Sequence, residues 1–191
     1  MANARKPMVL HIGLGKTGTT VLQRFLSGNR QALQERGILY PEDGVVDHAH
    51  HLFSPHVPEY MQDRWSFASV EEWAGELSTT EASTVLLSSE LMSSATADEI
   101  APYCQALNNY FELRVVVYLR RQDHMLASTY NQQVKSGRQK RPLAATWLKR
   151  LPAHDYREKL REWERGVGRE AMTSSETLPT FSHLPKQKEN S

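Results

Sequence analysis

A glycine-rich segment near the start of the chain constrains the fold more than any other part of the sequence. Residues 13–20 read Gly-Leu-Gly-Lys-Thr-Gly-Thr-Thr and directly follow the apolar run 8–12. This order predicts a strand, a tight turn and then a helix that begins with hydroxyl residues. Such a turn directs several backbone N–H groups and the positive end of the helix toward one point, where a phosphate can bind. We therefore predict a phosphate-binding loop.

This loop differs from the nucleotide-binding loop of ATPases in the position of its lysine. The ATPase pattern is G-x-x-x-x-G-K-[ST], and Gly13, Gly18 and Thr20 fit it. Thr19 stands where the lysine belongs, whereas Lys16 lies earlier, inside the loop. The loop can still bind a phosphate, but its cation meets a different part of the ligand. The displaced position of the lysine argues against a phosphotransferase that uses ATP or GTP. We keep this function as the least favoured alternative.

Charge and cysteine content exclude several classes of protein. The 191 residues carry a net charge of +1, which gives no reason to expect nucleic acid or a membrane surface as a partner. No apolar run approaches the length of a membrane span, and the polar segment 1–7 lacks the apolar core of a signal peptide. The single cysteine, Cys104, suits a reducing compartment. These features predict a cytoplasmic protein that binds neither nucleic acid nor membranes.

Predicted strands and helices alternate along most of the chain. Apolar, β-branched runs predict strands at 8–12, 38–40, 84–89 and 114–119. The spacing of apolar residues predicts helices near 19–34, 70–77, 97–110, 122–135, 143–151 and 155–165, with a long loop over 41–68. Buried strands that alternate with helices indicate an α/β fold, in which helices cover both faces of a parallel sheet.

The end of the chain differs in composition from the rest. Residues 172–191 are mostly Ser, Thr, Pro, Lys, Glu and Asn, with few apolar side chains. A segment of this kind buries too little apolar surface to offset the loss of chain entropy on folding. We therefore predict one domain over residues 1–171 and a disordered tail over residues 172–191.

A second group of polar residues follows the strongest predicted strand, 114–119. Arg120 comes directly after this strand, and Ser128 lies eight residues later, about two turns into the next predicted helix. In an open α/β sheet, ligands bind at the carboxyl ends of the strands. An arginine can bind phosphate there through a charge-assisted fork of hydrogen bonds. Two phosphate sites at one edge predict a nucleotide with phosphate groups at both ends.

Together the two motifs resemble those of the sulfotransferases that use 3′-phosphoadenylyl sulfate (PAPS), in particular bacterial members of that family. The family's 5′-phosphosulfate loop, K-[ST]-G-T-T, is similar to residues 16–20. Its 3′-phosphate motif, an arginine at a strand end followed by serine and tyrosine, is similar to Arg120, Ser128 and Tyr130. The resemblance implies a three-layer parallel sheet of the P-loop nucleotide-hydrolase type, with PAPS as co-substrate and no metal.

The resemblance also implies which residues bind PAPS and what reaction follows. The implied binding residues are Gly15, Lys16, Thr17, Gly18, Thr19, Thr20, Arg120 and Ser128. The implied reaction is in-line transfer of a sulfuryl group to a hydroxyl or amine of a small-molecule or carbohydrate acceptor. Lys16 would stabilise the charge on the leaving 5′-phosphate without Mg²⁺, since a transferring sulfuryl group carries less charge than a phosphoryl group.

The acceptor needs a catalytic base, and two kinds of residue can supply it. Glu90 follows the predicted strand 84–89, at the same sheet edge as Arg120. His51, with His50 beside it, lies in the long loop and is the alternative. We favour Glu90, because a strand end fixes the position of a side chain better than a loop does.

The last part of the chain raises a second functional hypothesis. The resemblance extends through a predicted helix to Ala171 and then stops, whereas family members normally continue with another strand. The pattern resembles a shortened copy of the family fold. The alternative to an active sulfotransferase is therefore a non-catalytic remnant that binds PAPS or its product. An uncovered apolar edge in such a remnant would favour association with a partner.

Overall fold

The computed structural model describes residues 5–57, 59, 69–143 and 156–176 of the chain. In this part of the chain five parallel strands form one sheet, in the order β2-β3-β1-β4-β5, flanked by helices. The strands are β1 (Lys6–His11), β2 (Ile38–Leu39), β3 (Thr84–Ser88), β4 (Phe111–Leu119) and β5 (Met172–Glu176). The α/β fold predicted from the sequence is confirmed.

Between the strands, the described residues include six α-helices whose bounds are defined. They are α1 (Thr19–Gly28), α2 (Arg30–Gln34), α3 (Val70–Ser78), α4 (Ala97–Asn108), α5 (Gln122–Lys135) and α6 (Tyr156–Val167). Short 3₁₀ helices cover His51–Phe53, Glu90–Ser94 and Arg169–Ala171. The helix predicted near 143–151 lies mostly outside the described residues. None of the described helices is both long and apolar enough to cross a membrane.

The helix predicted over 19–34 is divided at Asn29. This residue has φ −121° and ψ 24°, outside the helical region, and its side-chain Nδ2 donates to the Phe25 carbonyl at 2.7 Å. Gly28 before it is a poor helix former, and an asparagine side chain competes with the backbone for hydrogen bonds. These two residues end α1, although the apolar spacing continues across them.

The central strands are buried because helices cover them. Met8 and Leu10 of β1 have no exposed surface, and neither do Val85, Leu87 and Val115 of the neighbouring strands. Trp73 of α3 and Trp163 of α6 complete the same core, each 1% exposed. Burial of one such side chain contributes about 1.5–3 kcal/mol. The sheet centre is therefore a rigid support for the loops at its edge.

The strand order places three loops side by side. β1 pairs with β3 on one side and with β4 on the other, so the chain crosses over β1 between β3 and β4. In open α/β sheets the ligand crevice lies at such a crossover, outside the carboxyl ends of the strands. The phosphate-loop segment follows β1, Glu90 follows β3 and Arg120 follows β4. All three therefore meet at one edge of the sheet.

The disorder predicted from residue 172 is wrong for the first five residues of the tail. Met172–Glu176 forms β5, which pairs in parallel with residues 115–119 of β4. Its sequence, MTSSE, has one β-branched residue, and edge strands tolerate such polar composition better than central strands do. The domain therefore extends past 171, and the side of β4 expected to be uncovered is paired. Residues 177–191 lie outside the described part of the chain.

Candidate functional site

The loop after β1 has the backbone shape of an anion-binding turn. Lys16 and Gly18 have positive φ values of 70° and 86°, which direct the backbone N–H groups of the loop to one side. The Thr17 hydroxyl donates to the Leu14 carbonyl at 2.5 Å and fixes the turn from within. α1 begins directly after Gly18, which offers no side chain to cap its first N–H groups. These N–H groups are therefore available to a bound anion.

Gly13 is required by close packing under this loop. A Cβ atom at Gly13 would lie 2.3 Å from Thr19 Cγ2 and 2.8 Å from His11 Cε1, whereas one at Gly15 would meet nothing within 4 Å. Gly13 therefore lets the loop fold back onto the first residue of α1. Thr17 and Thr19 are buried, while Gly15, Gly18 and Thr20 are exposed at the loop surface.

Arg120 contacts the phosphate loop directly. Its Nη1 donates to the main-chain oxygen of Lys16 at 2.9 Å. The main-chain oxygen of Arg120 in turn accepts from the Tyr156 hydroxyl at 2.7 Å, which ties the end of β4 to α6. The two phosphate motifs of the sequence are therefore linked by a hydrogen bond.

An open cleft of about 550 Å³ is lined by three of the eight residues that the sequence predicts to bind PAPS, whereas the other five do not line it. Lys16, Arg120 and Ser128 all line it. The remaining lining residues lie along one face of α5, and they are His124, Ala127, Asn131, Gln132 and Lys135. Sequence reasoning missed His124, Asn131 and Gln132, although their spacing of three and four residues around Ser128 places them on its helix face. Tyr130 does not line the cleft, and its hydroxyl donates to the Arg141 carbonyl at 2.9 Å.

The two candidate bases are neighbours rather than alternatives. Glu90 Oε1 lies 3.8 Å from His51 Nε2, and the His51 Nδ1 lies 3.0 Å from the Ser89 hydroxyl. The other carboxylate oxygen of Glu90, Oε2, accepts a hydrogen bond from Gln23 Nε2 at 2.7 Å. Both side chains are partly exposed, 26% for Glu90 and 13% for His51, so an acceptor can reach them.

His50 holds the long loop against the sheet and cannot act as the base. Its main-chain N–H donates to the Ser88 carbonyl at 2.7 Å, and its Nδ1 accepts from the Ser88 N–H at 3.2 Å. Its Nε2 lies 3.1 Å from the Pro41 carbonyl, which requires the proton on that nitrogen. Burial lowers the pKa of His50 to about 3 and keeps the ring neutral.

His11 is a second buried histidine, at the end of β1. Its Nδ1 lies 2.8 Å from the Ser88 hydroxyl, while its Nε2 has no hydrogen-bond partner among the described residues. Burial lowers the pKa of His11 to about 4 despite the nearby charge of Glu90. The ring is therefore neutral at pH 7.

Histidines and carboxylates do not form a metal cluster in the described part of the chain. No group of three His, Cys, Asp or Glu side chains there is placed to hold an ion. That the reaction needs no metal stays a prediction.

Comparison with known proteins places this geometry in a fold class. The parallel sheet, the phosphate loop after β1 and the helix that follows it define a P-loop-like α/β fold. Among solved structures, the chain matches a sulfotransferase from Alicyclobacillus acidocaldarius with a TM-score of 0.51 and 17% identity. The match covers 92% of this chain and 74% of that chain. No protein-family model and no curated protein sequence matches. The chain therefore has a sulfotransferase-like fold.

Proposed function

We propose that this protein is a sulfotransferase that transfers a sulfuryl group from PAPS to a hydroxyl or amine of a small-molecule or carbohydrate acceptor. The observation that carries the proposal is the cleft shared by Lys16, Arg120 and Ser128. In this cleft a phosphate loop that lacks the usual ATPase lysine lies next to a second cationic residue, Arg120. A nucleotide with phosphate groups at both ends fits this arrangement better than ATP does.

The 5′ end of the donor would bind at the phosphate loop. The backbone N–H groups of Gly18, Thr19 and Thr20 would contact its phosphate, whereas the Thr17 N–H already donates to the Leu14 carbonyl at 3.3 Å. Exposed Gly15 leaves room for close approach. The Lys16 ammonium would lie near the bond that breaks, since its backbone is part of the loop. The uncapped first N–H groups of α1, which follow the exposed Gly18, fit a phosphate group held against the start of this helix.

The 3′-phosphate would bind at Arg120 and Ser128. The Arg120 guanidinium donates one N–H to the main-chain oxygen of Lys16, and its other N–H groups can donate to an anion. The Ser128 hydroxyl lies in the same cleft, on the first half of α5. Both contacts would be made equally in the ground and transition states, so they serve affinity rather than rate.

Glu90 would act as the catalytic base. Its Oε2 is held by Gln23, which leaves Oε1 to accept the proton of the acceptor group. As this proton leaves, the acceptor oxygen or nitrogen forms a bond to sulfur, and the bond from sulfur to the 5′-phosphate oxygen breaks. Lys16 would offset the charge that develops on this oxygen, and the products are the sulfated acceptor and 3′,5′-ADP.

His51 would orient the acceptor beside Glu90. The 3.8 Å between Glu90 Oε1 and His51 Nε2 is too long for a direct hydrogen bond. An acceptor oxygen placed to one side of these two atoms can lie within hydrogen-bond distance of both. His51 would therefore contact the acceptor and Glu90 would remove its proton.

Calorimetric titration and a transfer assay test the proposal together. We expect 3′,5′-ADP to bind without Mg²⁺ and to bind more tightly than ATP with Mg²⁺. We also expect transfer from PAPS to a generic phenol or sugar acceptor, measured as release of 3′,5′-ADP. Binding of 3′,5′-ADP without any transfer from PAPS would favour the alternative, a non-catalytic protein that binds PAPS or its product. Equal affinity for ATP and 3′,5′-ADP would refute the assignment of two phosphate sites.

A further inference from the structure

Gln23 is a buried polar side chain that belongs to neither sequence motif. It is 2% exposed and lies in α1, four residues after Thr19. Residues spaced by four lie on the same face of a helix. Thr19, Gln23 and Leu26 are the buried residues of α1. Gln23 is therefore an amide on the face that otherwise packs against the sheet edge.

The Gln23 amide is held by two acceptors, one at the end of β3 and one in the 3₁₀ helix that follows it. Its Nε2 donates to Glu90 Oε2 at 2.7 Å and to the Ser88 hydroxyl at 3.2 Å. The Ser88 hydroxyl lies 2.8 Å from His11 Nδ1. Because the His11 ring is neutral, Nδ1 can accept from Ser88, and the Ser88 oxygen can then accept from Gln23. Because the Glu90 carboxylate can only accept, the Nε2 of Gln23 must face it, and this fixes the orientation of the amide.

This network connects the base to the phosphate loop. His11 and Ser88 are register partners on β1 and β3, and the His11 ring lies beside Gly13 and Thr19. Gln23 extends from the helix that starts at the loop to the carboxylate that follows β3. Glu90 is the first residue of a 3₁₀ helix and is 26% exposed, so its own backbone leaves its side chain rotatable. The hydrogen bond from Gln23 removes that freedom.

We propose that Gln23 is the positioning residue for the Glu90 carboxylate. It fixes Oε2 relative to α1 and the phosphate loop and leaves Oε1 facing the acceptor beside His51. The inference rests on the proposed function, in which Glu90 is the base. Removal of the groups that orient metal ligands through hydrogen bonds typically lowers activity by about 10–100-fold, and we expect an effect of the same order for Gln23.

Two substitutions of Gln23 separate positioning from packing. Gln23→Met keeps the length of the side chain and its helix-forming tendency but removes the donor. We expect kcat to fall by about 10–100-fold, with the affinity for 3′,5′-ADP within about twofold of wild type. Gln23→Glu places a second carboxyl against Glu90, and we expect an equal or larger loss at pH 8. Its activity relative to wild type should recover as the pH is lowered toward about 5, because the protonated carboxyl can again donate to Glu90.

The control removes a hydrogen bond at the opposite edge of the sheet. The Ser78 hydroxyl donates to the Gly75 carbonyl at the end of α3. Two residues later, the Thr80 carbonyl accepts from Lys6 at the start of β1. We expect Ser78→Ala to keep wild-type kcat, whatever its effect on the melting temperature.

The outcomes distinguish the inference from the function on which it rests. Absence of transfer by the wild-type protein overturns both. Transfer by the wild-type protein with an unchanged kcat in Gln23→Met overturns the inference alone. A relative activity of Gln23→Glu that does not rise at lower pH also overturns it. If Gln23→Met fails to fold, the pH dependence of Gln23→Glu decides.

Discussion

Arg120 holds the phosphate loop through the main chain of Lys16. The hydrogen bond from Arg120 Nη1 to Lys16 O, at 2.9 Å, joins the end of β4 to the centre of the loop after β1. Lys16 has φ 70°, a conformation that costs a residue with a side chain about 1–2 kcal/mol. The contact from Arg120 stabilises the loop in this conformation. Arg120 therefore serves the loop as well as the 3′-phosphate that we assign to it.

The first prediction concerns Arg120 itself. We expect Arg120→Ala to weaken binding of 3′,5′-ADP by about 10–100-fold, since hydrogen bonds to a charged group contribute about 1.5–3 kcal/mol. Calorimetric titration measures the change. The matched control is Arg121→Ala, because Arg121 is 73% exposed and pairs with Asp123 at 2.8 Å. Equal effects of the two substitutions would show that Arg120 acts only through general charge.

The second prediction concerns Lys16. We expect Lys16→Ala to lower kcat by about 100-fold or more, because its contact strengthens as charge develops on the leaving oxygen. Affinity for 3′,5′-ADP should change much less, since the backbone of the loop remains. Steady-state kinetics and titration of the same preparation separate the two effects. The control Lys140→Ala, at an exposed position, should behave as wild type, and unchanged turnover in Lys16→Ala would contradict the assigned role.

The third prediction uses two glycines of the same loop. Gly13→Ala places a Cβ atom 2.3 Å from Thr19 Cγ2, and overpacking of this kind costs about 1–3 kcal/mol. Gly15→Ala meets nothing within 4 Å and should leave the free energy of unfolding nearly unchanged. Urea denaturation of the two variants measures the difference. A Gly13→Ala variant as stable as Gly15→Ala would mean that the loop does not fold back onto α1.

The fourth prediction concerns the pH dependence of stability. Burial lowers the pKa of His11 to about 4 and that of His50 to about 3. In the unfolded chain both titrate near 6.5, so below that pH the unfolded state binds protons that the folded state does not. Protonation of these two histidines should therefore leave the free energy of unfolding unaffected above about pH 7 and should lower it as the pH drops from about 6.5 to 4. The slope is about 1.4 kcal/mol per pH unit for each histidine.

Denaturation at a series of pH values tests this assignment. We expect His50→Gln to reduce the dependence of the free energy of unfolding on pH by about 1.4 kcal/mol per pH unit, because one of the two neutral rings has been removed. A slope that is the same in wild type and His50→Gln would contradict the role of the buried ring.

The sequence predicts those parts of the fold that depend on local patterns. β4 and α5 appear where β-branched and helical spacing place them, and the two phosphate motifs lie at the ends of their strands. β5 was missed because an edge strand needs backbone pairing with one neighbour and little apolar content. Its polar sequence therefore does not predict a strand, and the strand is recognised only by its pairing with β4 in the structure.

The parts of the site that the sequence does not predict depend on tertiary contacts. Glu90 and His51 are separated by the long loop and β3, so their proximity follows from how His50 anchors the loop. Gln23 reads as an ordinary helical residue, since a glutamine among apolar residues of α1 carries no motif. Its partners, Ser88 and Glu90, become visible only when β1 and β3 are aligned in register.

The anchoring of His50 on Ser88 has a consequence for how the protein can change over evolution. His50 satisfies both main-chain groups of Ser88 with its own N–H and its ring, as a neighbouring strand would. One residue thus fixes where the chain enters the catalytic edge, and His51 follows it by one position. Phe53, two residues after His51, packs against Trp73 with ring centroids 4.2 Å apart, so His51 is held beside Glu90 from both sides along the chain. Under the proposed function, residues that contact the acceptor can therefore change over evolution while His50, Ser88 and the residues that bind the donor stay the same.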